Sequence, residues 1–152
     1  MSHTSTISTV TIKDENALRA ACQELKDKQG VNLTLEQNVM PRAYYSGGRQ
    51  AGMETEAPYV IRLHDSKYDV GLYRNADDTG YEARCDLWDG DIQRQLGIPH
   101  NQDCTREEAA LGKLYNLYSV HAAMRAAAAQ GHQVQRIDKE DGNVQLVVSL
   151  AA

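Results

Sequence analysis

The stretch YVIRLHDSKYDVGLYRNADDTGYEARCDLW, residues 59–88, constrains the fold more than any other. It holds three strand-like runs separated only by Asp65-Ser66 and by Asp78-Thr79-Gly80. Connections this short can only turn a strand back beside its neighbour, because a parallel pair needs a crossover of about a dozen residues. An antiparallel meander is therefore fixed in the middle of the chain, and the flanking segments must pack on it.

Two of those segments read as helices. In TIKDENALRAACQELKDKQG, Asp14 is a natural N-cap and Leu18, Ala21, Cys22 and Leu25 form one apolar stripe. Gly30 suits the left-handed position after the last turn. This predicts a helix over 15–29. Thr105 with Glu108 makes a capping box for a second helix over 105–130. Its stripe is Leu111, Leu114, Leu117 with Tyr118, His121 and Met124, and its Ala-rich second half suits close approach to a sheet. VNLTLEQ alternates with period two, a strand. Asp141-Gly142 turns the closing HQVQRIDKEDGNVQLVVSL into a hairpin. Segment 41–58 reads as a loose Gly- and Pro-marked loop after a short strand at 42–45, and 89–104 as a polar insertion loop.

The order β-α-β, meander, α, hairpin predicts a single α+β domain over 1–152. It is a two-layer sandwich with a mainly antiparallel sheet and two helices on one face. The first strand, near the start of MSHTSTISTVTI, is expected to be ordered and central. Ile7 and Val10 fall on opposite strand faces, so burying both requires a bulge near Ser8 and Thr9.

Composition narrows the function classes. The net charge is -5, and Glu54 to Asp91 holds ten acidic against four basic side chains, a field that opposes nucleic acid. No apolar run is long enough for a membrane span, and the start lacks the charged and apolar regions of a signal peptide. Three cysteines, Cys22, Cys85 and Cys104, fit reduced thiols in the cytoplasm better than a disulfide framework. Eight Tyr, one Trp and no Phe imply either polar contacts within the core or aromatics at its rim.

Scattered motifs carry a resemblance: Ser2-His3-x-Ser5-x-Ile7, Tyr68-Asp69-x-Gly71, Asp86-x-Trp88-x-Gly90, Tyr118-x-x-His121, Gln130-Gly131 and Asp141-Gly142. Together they resemble the hypothetical chloroplast reading frame thirty-five family, a domain of unknown function of plastids, cyanobacteria, other bacteria and tailed phages. The resemblance runs from Met1 to about Leu150 and implies no established catalytic activity. The chain departs from it at Thr4, where the family has a large apolar residue, and in longer loops at 46–57 and 89–104.

Several constellations could carry chemistry. His3, on the strand face of Ile7, could meet Tyr118 and His121 on the helix stripe and there bind an anion or a metal, or move a proton. A hydrogen-bonded core histidine is the simpler reading of His121. Cys22, Cys85, His100 and Cys104 lack the paired spacing of a zinc set, so no metal and no other cofactor is expected. None of the cysteines has a placed base. Gly47-Gly48-Arg49 with Arg42 and Tyr45 could cradle a phosphate, without any nucleotide-binding pattern around it. Tyr44, Tyr45, Tyr59 and Tyr73 with Arg42, Arg62 and Arg74 could stack on a base, against the charge of Asp65, Asp69, Asp77 and Asp78. The reading that follows is a non-enzymatic interaction module acting through its sheet surface and long loops, with a protein partner or a second copy. The alternative is a small-ligand or nucleotide-binding protein, such as a phage accessory factor, using Arg42, Tyr45 and Arg49. A weak enzyme using His3, Tyr118 and His121 comes third.

Overall fold

The computed structural model describes residues 4–44, 52–99 and 105–150, with backbone alone over 4–9. Strand β1 (Thr4–Ile12) leads into helix α1 (Glu15–Gln29), then β2 (Leu33–Val39), β3 (Ala57–Leu63), β4 (Val70–Arg74) and β5 (Tyr81–Asp86). Three helices follow, α2 (Asp91–Leu96), α3 (Arg106–Ala110) and α4 (Gly112–Ala129), and then the hairpin β6 (Gln133–Asp138) and β7 (Val144–Ser149). The expected α+β class holds: a five-stranded antiparallel sheet of order β1-β5-β4-β3-β2, with α1 and α4 packed on one face.

The local signals account for the ends of α1. The Asp14 carboxylate accepts from Ala17 N at 3.0 Å, and Gly30 takes a left-handed φ of 69°. The stripe Leu18, Ala21, Cys22 and Leu25 is buried against Leu33, Tyr59, Ile61, Leu63, Val70, Leu72, Ala83 and Cys85 from the sheet and Leu114 and Leu117 from α4. Each fully buried aliphatic side chain contributes about 1.5–3 kcal/mol, so this layer dominates the stability.

Five expectations are corrected. β1 is an edge strand, not a central one. The meander sets β3, β4 and β5 side by side through its tight turns, β2 takes the open side of β3, and β1 joins the open side of β5. Its register breaks between Ile7 and Ile12, where the bulge was placed. The second helix is two helices broken at Leu111. The Ile98 N–H bonds to the Ala109 carbonyl at 2.8 Å and takes an acceptor that a continuous helix would need. Gly112 permits that approach, since a Cβ there would lie 2.4 Å from Ile98. The insertion loop contains α2, whose Ile92 and Leu96, one turn apart, are both buried. Finally, 41–44 forms no strand, and the closing hairpin stands as a separate two-stranded sheet.

Candidate functional site

The outer sheet face, away from the helices, is not bare. Asp69 is completely buried and receives five bonds. Arg42 donates to it from Nε, Nη2 and its backbone N at 2.8–3.0 Å, Arg62 Nη1 donates at 2.8 Å and Leu63 N at 3.1 Å. Arg62 also pairs with Glu36, the main reason its guanidinium is held even more firmly protonated than usual. Asp69 thus ties residue 42 to the sheet, and the following residues run across it. Gly71 leaves room for them: a Cβ there would meet the Tyr73 ring at 2.7 Å and Pro41 at 3.2 Å.

Residues 52–55 are fixed over the same face as well. Arg84 Nη1 donates to the Gly52 carbonyl at 2.8 Å, and Tyr73 OH donates to the Thr55 carbonyl at 2.9 Å. Ala43, Met53, Ala57, Val60 and Tyr73 form a second small core beneath it. The sheet surface expected to be open is therefore covered along this path, and open ground begins at its rim.

At that rim, at the C-terminal end of β5, lies the candidate site. Asp86 is 0% exposed, and its carboxylate accepts from Tyr44 N at 3.2 Å and Trp88 N at 3.0 Å. The two residues that it holds are among the most exposed large side chains, Tyr44 at 47% and Trp88 at 63%. Buried Tyr68 stands beside them. Burial pushes its phenol up, and the nearby Asp86 and Asp89 carboxylates and the Tyr44 phenol add to the effect. Asp89 accepts from Asp91 N, while Asp91 is neutralised by Arg94. Among the described residues neither Asp86 nor Asp89 has a cationic partner. Arg94 Nη1 reaches the Asp89 backbone carbonyl at 3.3 Å, and exposed aromatic side chains near two carboxylates suit a cation, which gains from ring faces and carboxylates alike.

The residues singled out from sequence are dispersed. Arg42 is committed to Asp69 and to the Leu63 carbonyl. Tyr45, Arg49 and His3 lie outside the described residues, as do His100 and Cys104. Tyr118 OH accepts from Lys13 N at 2.8 Å and Asp14 N at 3.0 Å, at the end of β1 remote from Thr4. Thr4 pairs with Asp86, roughly 25–30 Å along the strand from that end. His121 bonds through Nε2 to Glu24 at 2.9 Å, and Glu24 pairs with Arg136 at 2.7 Å. Burial pushes both the Cys22 and the Cys85 thiols up to about 12, which makes them inert core residues. Tyr59 faces the helix-side core and Tyr73 the second core, so the envisaged stacking platform is divided between two faces. Among the described residues no three His, Cys, Asp or Glu side chains converge as a metal set, and no helix is long and apolar enough to cross a membrane. The Asp86-x-Trp88-x-Gly90 stretch, which carries the resemblance, offers no catalytic or ligand motif. The available signal was the single Trp in a polar segment.

A model of one protein family, described as "Protein of unknown function (DUF1257)", matches residues 31–147. That span runs from just after α1 into β7 and includes the whole Asp69 and Asp86 arrangement. No curated protein and no solved structure matches the chain.

Proposed function

The chain belongs to the DUF1257 family, and, that family's function being unknown, we propose a role from this chain's own geometry: a non-enzymatic interaction module that holds a basic segment of a partner protein. The observation that carries it is the exposed Trp88, whose backbone is pinned to a buried carboxylate shared with Tyr44. A large aromatic presented to water on a fixed backbone is the pattern of a binding anchor, because little conformational entropy remains to be lost on association. The Asp86 and Asp89 field favours Lys or Arg between the rings. The long loops at 46–57 and 89–104, which adjoin Tyr44 and Trp88 in the sequence, are read as its specificity elements. The motifs shared with the chloroplast reading frame thirty-five family fit this reading, since two of them, Tyr68-Asp69-x-Gly71 and Asp86-x-Trp88-x-Gly90, supply the clamp and the patch.

The single Trp makes the test direct. Arg- and Lys-rich peptides and their Asp- and Glu-rich counterparts are titrated against the protein while indole emission is followed. Basic peptides should shift the emission. Trp88→Ala should weaken their binding, read by calorimetry, by about 2 kcal/mol or more while leaving the melting temperature nearly unchanged. Equal binding by Trp88→Ala, or no preference for basic peptides, overturns the proposal. One observation favours a second reading, a small ligand: a cleft of about 480 Å³ lies between the end of α1, the α4 face with Lys113, Asn116 and Ser119, and the hairpin turn at Asn143. It is built from none of the Arg and Tyr residues proposed for ligand binding from sequence.

A further inference from the structure

The hairpin β6–β7 stands apart from the main sheet, and among the described residues no third strand covers either of its edges. A two-stranded sheet is marginal in water, and an unpaired edge is a template for another strand. Natural proteins guard such edges with charge, proline or irregular backbone. The main sheet does so. β1 carries a break in register between Ile7 and Ile12, and β2 carries Glu36 and a left-handed Asn38. β6 carries Arg136 and Asp138. β7 has none of these devices. Val144 to Leu150 reads VQLVVSL, without a charged residue or a proline.

The same seven residues are symmetric in polarity about Val147. Reading outward from it, Leu146 mirrors Val148, Gln145 mirrors Ser149 and Val144 mirrors Leu150. An antiparallel pairing of two such strands about a two-fold axis at Val147 places every apolar residue opposite an apolar one and every polar residue opposite a polar one. It also preserves the faces. Val144 and Leu146 are half-buried towards α4, and Val148 (45% exposed) and Leu150 (77% exposed) continue that row. Across the axis, Leu146 and Val144 of a second copy would cover them. A two-fold interface must put each residue against its own symmetry mate or its mirror position. Because β7 carries no charge, that pairing sets no like charges against each other.

We propose that β7 pairs with β7 of a second copy, joining two hairpins into a four-stranded antiparallel sheet. This surface is separate from the Trp88 patch and does not depend on the role given to that patch. The test is sedimentation of the full chain across a concentration series. The wild type should associate reversibly to a dimer. Val147→Lys and Val147→Glu, which set like charges against each other at the axis, should each weaken association by about tenfold or more. Mixing the two variants should restore a heterodimer, because each Lys then meets a Glu. Gln135→Lys, on the same hairpin face but on β6, should leave the dimer intact, as should Trp88→Ala. Should a Val147 variant fail to fold, hydrogen exchange of the wild type decides: amides within 144–149 gain protection with concentration if β7 pairs. A wild type that stays monomeric throughout, a dimer indifferent to both Val147 variants, or amides with concentration-independent exchange overturns the proposal.

Discussion

Glu24 shows how a single side chain decides where the hairpin sits. It lies on α1, accepts from Arg136 of β6 through both carboxylate oxygens at 2.7 and 2.8 Å, and meets His121 of α4 at 2.9 Å. Bonding to Arg136 is the main cause that holds its carboxyl down at about 2 rather than 4.5, and the His121 bond adds to it. A carboxylate whose folded value is depressed contributes stability that is complete above its unfolded value and lost as pH falls through the folded one. The contribution should therefore be intact above about pH 5, decline between about 4.5 and 2, and amount to about 2–3 kcal/mol. Glu24→Gln should remove that part of the acid dependence and loosen the hairpin first, measured by urea unfolding at several pH values and by exchange of the β6 amides. An unchanged acid profile in the variant would show that Glu24 does not hold the hairpin. The residue chemistry was legible here only in halves. His121, expected as a core residue tying the helix to the first strand, is half-buried and bonds Glu24 of α1, 97 positions away, and no local pattern points to Glu24. The same holds for Asp69 and Asp86, where pairing across the sheet buries carboxylates that look like ordinary loop acids in the sequence.

Elements set by local chemistry were the legible ones. The Asp14 cap, the α1 stripe and the two meander turns are all interactions within a few residues, and they appear where the sequence puts them. The misread elements depend on distant contacts. The break at Leu111 exists because the backbone of Ile98 inserts at Ala109, and α2 is stabilised through two side chains, Ile92 and Leu96, in an otherwise polar run. Tyr118 belongs to the same class. It was weighed as a site residue, yet its hydroxyl joins α4 to the corner between β1 and α1 by accepting from two backbone N–H groups. Tyr118→Phe keeps the ring and removes only that acceptor. It should cost about 1–3 kcal/mol in chemical denaturation, since two donors lose their partner, while binding of basic peptides stays unchanged. A variant of full stability with lost binding would return Tyr118 to the site.

On the scale of the whole molecule, the two proposed surfaces differ in physics as well as place. Residues 41–44 and 52–55 lie over part of the outer face beside an acidic aromatic rim. The hairpin offers an uncharged edge. The chain's charge of -5 acts on them in opposite ways. It attracts a basic partner to the rim over distances of about the Debye length, and it repels a second copy from the hairpin. Added salt shortens that length from about 10 Å at 0.1 M to about 3 Å at 1 M. Basic-peptide affinity should therefore fall as salt rises, and self-association should hold or strengthen, because screening removes repulsion between copies while the β7 ladder itself contains no charge. Calorimetry with a basic peptide and sedimentation of the free chain, each run across the same salt series, measure the two slopes. If both affinities fall together, charge drives both contacts, and the uncharged β7 ladder is not what joins two copies.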